Sequence, residues 1–305
     1  LCKTKSYSRH VGRIMHLLTA TVTPFFPNGT IDFASLERLL SFQDAVGNGV
    51  VLLGSTGEGL SLTKKEKQAL ICFACDLQLK VPLFVGTSGT LLEEVLDWIH
   101  FCNDLPISGF LMTTPIYTKP KLCGQILWFE AVLNAAKHPA ILYNIPSRAA
   151  TPLYLDTVKA LAHHPQFLGI KDSGGSVEEF QSYKSIAPHI QLYCGDDVFW
   201  SEMAACGAHG LISVLSNAWP EEAREYVLNP QEQDYRSLWM ETCRWVYTTT
   251  NPIGIKAILA YKKAITHAQL RLPLSIEDFD LENVSPAVES MLAWPKLRTS
   301  VFSYS

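Results

Sequence analysis

Eight short apolar stretches, rich in β-branched residues, recur between residues 17 and 216 of the chain. Their spacing is close to the ~30-residue pitch of a strand–helix unit. Each stretch is nearly continuous in apolar residues, which is typical of parallel strands covered on both faces. The stretches span residues 17–25, 49–56, 81–88, 108–115, 140–146, 167–172, 190–197 and 209–216. Eight alternations of strand and helix predict an α/β fold, a (β/α)8 TIM barrel.

The segments between these stretches carry helix-start signals. The sequences TKKE at 63–66 and SVEE at 176–179 have the spacing of a capping box. Thr151 followed by Pro152 fits an N-cap residue and the first residue of a helix. We therefore expect a helix to begin at each of these three places.

The strand pattern stops after about residue 230, and the remaining sequence has helical patterns punctuated by proline. This change predicts a barrel domain over 15–229 and a small C-terminal helical domain over 230–305. Residues 1–14 contain four basic residues and no acidic residue. They lack the apolar core of a secretory signal, so we expect a disordered extension there.

Composition narrows the class of protein. Charged residues make up 18% of the chain, below the usual ~25%, which suggests subunit interfaces. A net charge of −4 without a long basic stretch argues against nucleic acid as a partner. No apolar run reaches the ~18 residues needed to span a membrane. Eight scattered cysteines predict reduced thiols and a cytoplasmic location.

Candidate chemistry concentrates at the C-terminal ends of the predicted strands, where the active sites of such barrels lie. The ends supply one amine, one arginine, two tyrosines and several hydroxyls, with no histidine and no cluster of metal ligands. The residues that we single out are Ser55, Thr56, Tyr117, Tyr143, Arg148, Lys171 and Gly195.

Lys171 directly follows the apolar run 167–170. Apolar surroundings disfavour the charged form of an amine, which makes a neutral nucleophile available. Such an amine attacks a ketone to form a Schiff base, and neighbouring hydroxyls carry the protons. Arg148 has the planar donors that suit a substrate carboxylate. The alternative is that Lys171 points outward and pairs with Asp172; the hydroxyls at the same strand ends favour catalysis.

Seven segments occur in an order and spacing that resemble a known family: GSTGEGLSLTKKE, TTPIYTKP, LYNIPSR, GIKDS, CGDD, GLISV and NPIGIK. The family is that of dihydrodipicolinate synthase and N-acetylneuraminate lyase, the class I pyruvate-dependent aldolases. The resemblance runs from Met15 to about Pro295 and implies a TIM barrel with a C-terminal helical domain.

The resemblance implies a role for each of the matching residues. Lys171 is expected to form the Schiff base with pyruvate. Tyr143, Ser55 and Tyr117 are expected to form a proton relay, with Tyr117 reaching into the site of a neighbouring subunit.

The pyruvate pocket follows from the same resemblance. Thr56 and Ser55 are expected to hold the pyruvate carboxylate, while Gly195 and Ile212 line the pocket through their backbone. The resemblance implies no cofactor and no metal, and a homotetramer built as a dimer of dimers.

Two positions point to different branches of the family. The segment GSTGE, with Ser55, has the sequence typical of the neuraminate lyases. Arg148 instead matches the synthases, in which an arginine binds the carboxylate of aspartate semialdehyde. We weight Arg148 more heavily and expect condensation of pyruvate with L-aspartate 4-semialdehyde, a step toward diaminopimelate and lysine. The alternatives are a lyase acting on N-acetylneuraminate or a 2-keto-3-deoxy sugar acid, and a non-catalytic barrel that binds a keto acid.

The resemblance also places the positions that bind inhibitory lysine in many family members. Here they are Lys64, Lys67, Thr90, Glu94 and Ile116, and only Glu94 retains the family pattern. Lys67 would repel a cationic ligand, and Ile116 offers no ring. We therefore expect lysine inhibition to be weak or absent.

Overall fold

The computed structural model describes residues 16–292 and 294, so the extension predicted at 1–14 lies outside the described residues. Eight parallel strands close into a barrel in chain order, and the last strand pairs with the first. The strands are β1 (Leu17–Ala20), β2 (Gly49–Leu52), β3 (Leu83–Thr87), β4 (Gly109–Thr113), β5 (Ala140–Asn144), β6 (Phe167–Asp172), β7 (Gln191–Cys194) and β8 (Gly210–Ser213). The predicted TIM barrel is confirmed.

Helices alternate with the strands and then continue alone. The helices around the barrel are α1 (Phe33–Val46), α2 (Lys64–Asp76), α3 (Leu92–Cys102), α4 (Leu122–Ala135), α5 (Pro146–Ala149), α6 (Leu155–Leu161), α7 (Val177–Ile186), α8 (Trp200–Ala205) and α9 (Pro220–Leu228). The C-terminal helices are α10 (Gln233–Val246), α11 (Ile253–Tyr261) and α12 (Val284–Met291). Within the described ranges, none of these helices combines the length and the apolar character required to cross a bilayer.

Two of the three predicted helix starts are observed. Thr63 forms a reciprocal capping box with Glu66 at the start of α2, and Ser176 caps α7. The third prediction, a helix starting at Thr151–Pro152, is wrong because α6 begins only at Leu155.

The segment before α6 is non-helical and is hydrogen bonded to side chains of other elements. The Leu153 N–H donates to the side-chain oxygen of Asn144 at 2.9 Å. The Pro152 carbonyl accepts from the amide of Gln125 at 2.7 Å. A helix that began at Pro152 would use the Pro152 carbonyl as an intrahelical acceptor, but Gln125 occupies this carbonyl and the helix starts later.

Alternate residues of each strand face the barrel interior. On β5, Ile141 and Tyr143 belong to the inner core, whereas Leu142 packs in the outer core between strands and helices. Ile212 of β8 is fully buried in the same inner core. The interior is therefore a packed apolar layer with Tyr143 near its C-terminal end.

Asp197 ties the C-terminal helices to the barrel. Its buried carboxylate accepts hydrogen bonds from Ser213 at the end of β8, at 2.5 Å, and from Tyr247 after α10, at 2.6 Å. Its backbone carbonyl accepts from the Trp239 indole of α10 at 3.1 Å. The ends of β7 and β8 are thus fixed against α10.

Candidate active site

Lys171 and Tyr143 lie side by side at the C-terminal end of the barrel interior. They are backbone partners across the β5–β6 ladder, and the Lys171 Nζ lies 4.2 Å from the centre of the Tyr143 ring. Lys171 is 4% exposed and Tyr143 is 5% exposed. The structure therefore brings the predicted nucleophile directly against the predicted phenol.

Gly195 follows β7 and leaves space for the Lys171 side chain. A Cβ atom placed on Gly195 would lie 2.8 Å from Lys171 Cε and 2.2 Å from Ser173 Oγ. Both distances are too short for a real contact, so any larger residue at this position would displace the Lys171 and Ser173 side chains. The predicted pocket residue Gly195 therefore lies against the nucleophile, as does Ser173, which the sequence analysis did not single out.

Asp172 faces away from the interior, on the other side of β6 from Lys171. Its Oδ1 accepts from the Asn144 side-chain amide at 2.7 Å and from the Gly174 N–H at 3.0 Å. Burial raises the pKa of Asp172 to about 6, although these two hydrogen bonds lower it. Among the residues that the structure describes, Asn144 and Gly174 are the hydrogen-bond partners of this carboxyl group. The alternative of an outward Lys171–Asp172 pair is therefore not observed.

Asn251 connects the two predicted carboxylate-binding residues. Its side-chain amide donates to Thr56 Oγ1 at 2.9 Å, and its backbone carbonyl accepts from the exposed Arg148 guanidinium at 2.7 Å. Because the Thr56 oxygen accepts this bond, the Thr56 hydroxyl proton is free to donate to a ligand. The Asn251 Oδ1 is buried and has no hydrogen-bond partner in the described part of the chain. Asn251 is not among the site residues expected from the sequence, although it is the first residue of the NPIGIK segment that resembles the family.

A buried ion pair supports the loop after β2, which carries Ser55 and Thr56. Lys256 of α11 is completely buried and hydrogen bonds to the Glu58 carboxylate and to the Gln269 carbonyl. Burial lowers the pKa of Lys256 to about 8, whereas the negative charge of Glu58 raises it. The Glu58 backbone has a left-handed φ of 52°, which is uncommon for a residue other than glycine. The pair therefore holds a strained loop in place.

The structure does not bring together the whole predicted proton relay within one chain. Tyr117 is 88% exposed and has a φ of 67°, a sparsely populated backbone conformation that is often found at functional sites. Ser55 is half-buried on the neighbouring loop. Neither hydroxyl is hydrogen bonded to Tyr143. Ile212 lies in the inner core beneath this group.

A metal site is not part of this arrangement in the described ranges. No group of three or more His, Cys, Asp or Glu side chains among residues 16–292 and 294 is placed to hold an ion. The polar groups at the barrel mouth are instead one amine, a phenol, alcohols and a guanidinium. This set is chemically suited to imine formation with a keto acid.

Comparison with known proteins places this site in context. A protein of Chlamydia caviae named 4-hydroxy-tetrahydrodipicolinate synthase is 58% identical over 284 residues, which cover 93% of this chain and 98% of that protein. The pyruvate complex of the chloride-inhibited dihydrodipicolinate synthase from Acinetobacter baumannii superposes with a TM-score of 0.84 at 28% identity, covering 92% of this chain and 98% of the other.

A second solved structure is similarly close. The dihydrodipicolinate synthase of Cyanidioschyzon merolae, with lysine bound, superposes with a TM-score of 0.85 at 26% identity, covering 92% of this chain and 98% of the other. The model of the dihydrodipicolinate synthetase family matches residues 13–290. This match spans most of the sequence, including every strand of the barrel and the strand-end residues described above. The chain belongs to the dihydrodipicolinate synthetase family.

Proposed function

We propose that the chain is a 4-hydroxy-tetrahydrodipicolinate synthase, a lyase that condenses pyruvate with L-aspartate 4-semialdehyde on the route to diaminopimelate and lysine. The observation that carries the proposal is the contact between the buried Lys171 amine and the Tyr143 ring at the barrel mouth. The relative of the same name, 58% identical over nearly the whole chain, supports it.

The reaction begins at Lys171. Its amine attacks the keto carbon of pyruvate to give a carbinolamine, and loss of water gives a Schiff base. The positive imine nitrogen withdraws electrons, so a proton leaves the pyruvate methyl group and an enamine forms. Tyr143, whose ring centre lies 4.2 Å from the Lys171 amine, is the proposed donor and acceptor of the protons in these steps.

The second substrate then completes the ring. The enamine carbon attacks the aldehyde carbon of the semialdehyde, which becomes the hydroxyl-bearing carbon of the product. The amino group of the semialdehyde next attacks the imine carbon and displaces the Lys171 amine. The released product is 4-hydroxy-tetrahydrodipicolinate, and the enzyme is regenerated without a cofactor.

The two substrate carboxylates are assigned to different groups. Ser55 and Thr56 are proposed to hold the pyruvate carboxylate through their backbone N–H groups and the Thr56 hydroxyl, and Gly195 and Ile212 line the same pocket. Arg148 is proposed to bind the carboxylate of the semialdehyde. One of its N–H groups is used by the Asn251 carbonyl, which fixes the guanidinium and leaves the other donors available.

The proton relay is proposed to need a second copy of the chain. Tyr117 is almost fully exposed, and a large exposed aromatic side chain is typical of a subunit interface. We infer that it enters the site of a neighbouring subunit, where it completes a relay with Ser55 and Tyr143. A cytoplasmic homotetramer built as a dimer of dimers is the corresponding assembly.

Purified protein mixed with pyruvate and L-aspartate semialdehyde is expected to give product in a reductase-coupled assay. Arg148→Ala is expected to lower kcat/KM for the semialdehyde by about 10- to 100-fold, because a charge-assisted hydrogen bond is lost. The KM for pyruvate should change little. Arg244→Ala, which removes an exposed arginine of α10, is the matched control and should retain full activity.

The same assay decides between the alternatives. Absence of condensation, together with cleavage of N-acetylneuraminate or a 2-keto-3-deoxy sugar acid, would assign the chain to the lyase branch. Ser55 would then have indicated the branch correctly, and Arg148 would not. Absence of any trapped pyruvate adduct would favour the non-catalytic barrel.

Lysine at millimolar concentration is expected to inhibit weakly or not at all. Lys67 is half-buried, and its pKa is lowered by burial and raised by the Glu94 carboxylate. Lys67 thus places a cation of the chain itself near the Glu94 carboxylate. Calorimetric titration with lysine should give no heat of binding here, with the lysine-binding Cyanidioschyzon merolae protein as the positive control. Clear inhibition in the coupled assay would contradict this prediction.

A further inference from the structure

The Ser173 hydroxyl turns back into the site from the loop that follows β6. Its Oγ lies 3.4 Å from the Tyr143 phenol oxygen and is oriented to donate to it. This distance is long for a hydrogen bond between hydroxyls, but catalytic contacts are often long before a substrate is bound. Ser173 is half-buried, so water competes for this contact less than it does at an exposed position.

The backbone of Ser173 is fixed from both neighbouring strands. Its N–H donates to the Asn144 carbonyl of β5 at 2.8 Å. The preceding residue, Asp172, binds the Asn144 side chain, and its carbonyl accepts from the Gly195 N–H at 2.7 Å. The loop is therefore held on the β5 side and on the β7 side. These bonds keep the Ser173 hydroxyl directed toward Tyr143.

Ser173 also lies close to the nucleophile. A Cβ on Gly195 would collide with Ser173 Oγ and with Lys171 Cε alike, so both side chains border the same small volume. The hydroxyl is thus next to the place where the pyruvate keto oxygen becomes the leaving hydroxyl of the carbinolamine.

We propose that Ser173 is a positioning residue that orients the Tyr143 hydroxyl for proton transfer; the proposal rests on the function proposed above. Because the Ser173 hydroxyl donates to the phenol oxygen, the phenol proton cannot point toward Ser173. It points instead into the space next to Lys171, where the substrate oxygen forms. Without Ser173 the phenol hydroxyl is free to rotate, and the productive orientation is populated for less of the time.

The test uses pyruvate alone in D2O. Enamine formation exchanges the methyl protons of pyruvate for deuterium, and proton NMR follows the loss of the methyl signal without the second substrate. Ser173→Ala is expected to lower the exchange rate by about 3- to 10-fold, the loss that one ordinary hydrogen bond produces. The KM for pyruvate and the melting temperature should remain close to those of the wild type.

Two further variants separate orientation from packing. Ser173→Cys fills similar space, but a thiol is a weak donor, so its rate should be as low as that of Ser173→Ala. In a Tyr143→Phe background, Ser173→Ala should cause no additional loss, because the serine acts through the phenol hydroxyl. Ser182→Ala removes a hydroxyl that binds the Glu178 carbonyl within α7 and should exchange at the wild-type rate.

Each outcome supports or overturns the assignment. A wild-type rate in Ser173→Ala, recovery in Ser173→Cys, or an equal loss in the Tyr143→Phe background would overturn it. Absence of exchange in the wild-type protein, with no adduct trapped by borohydride, would overturn the proposed function and this role together. Exchange in the wild-type protein, together with an equal exchange rate in Ser173→Ala, would overturn the role of Ser173 and leave the proposed function standing.

Discussion

Replacing Lys171 with alanine is expected to abolish turnover and to prevent trapping of pyruvate by borohydride. Among the described residues at the barrel mouth, Lys171 is the amine placed to form an imine with the substrate, so the loss in kcat should be on the order of 10⁴-fold or more. The methyl exchange of pyruvate should stop as well. Mass spectrometry of the reduced protein should find a 1-carboxyethyl group on the wild-type chain and none on the variant.

Peptide mapping sharpens this result because the chain contains a second buried amine. Burial lowers the pKa of Lys256 to about 8, yet its ammonium group is engaged by Glu58 and Gln269 and is completely buried. We therefore expect the adduct on Lys171 alone. Lys159→Ala, at an exposed position on α6, is the matched control and should still be trapped. An adduct that persists in Lys171→Ala would contradict the assignment of the nucleophile.

Lys256→Met is expected to lower the free energy of unfolding by about 3–5 kcal/mol, because it leaves the buried Glu58 carboxylate without its cationic partner. The backbone N–H of Arg271, which also donates to Glu58 at 2.8 Å, carries no charge that could replace it. Urea denaturation followed by circular dichroism measures this loss. The coupled assay on the folded fraction should also show reduced activity, since Glu58 shapes the loop that carries Ser55 and Thr56.

Two comparisons identify the cause of that loss. In Lys256→Met/Glu58→Gln the unpaired charge is removed, so much of the stability should return. Lys64 forms an ion pair with Asp97 on the surface, with 61% and 57% of the two side chains exposed. Lys64→Met should therefore cost at most about 1 kcal/mol. Similar losses in Lys256→Met and Lys64→Met would show that burial of the first pair contributes nothing.

Sequence periodicity located every strand of the barrel but overestimated most strand lengths. The first apolar stretch was predicted over 17–25, whereas β1 ends at Ala20. Val22 and Phe25 are nevertheless fully buried. Apolar residues continue beyond the paired segment because they pack in the outer core, where Phe25 lies under Lys256 and Arg271. Hydropathy records burial and not backbone pairing, so it cannot mark where a strand ends.

The residues at the centre of the site were predictable from the sequence, whereas the residues that position them were not. Lys171, Tyr143 and Gly195 follow from the rule that strand ends meet at one face of a barrel. Asn251 reaches Thr56 across 195 residues of sequence, and no local pattern indicates such a contact. The role of Ser173 depends on how a turn folds back over β5. Tyr117 is expected to act in another subunit, which a single chain does not contain.

The ion pair between Glu58 and Lys256 also bears on whether this barrel could be joined to the C-terminal helices of another protein. One member of the pair belongs to the barrel and the other to α11 in the C-terminal helices. A chimera that joins this barrel to helices from a distant relative would inherit one charge without its counterpart unless both positions match. Exchange of the C-terminal helices is therefore expected to preserve stability only where the partners of Glu58 and Lys256 are exchanged together.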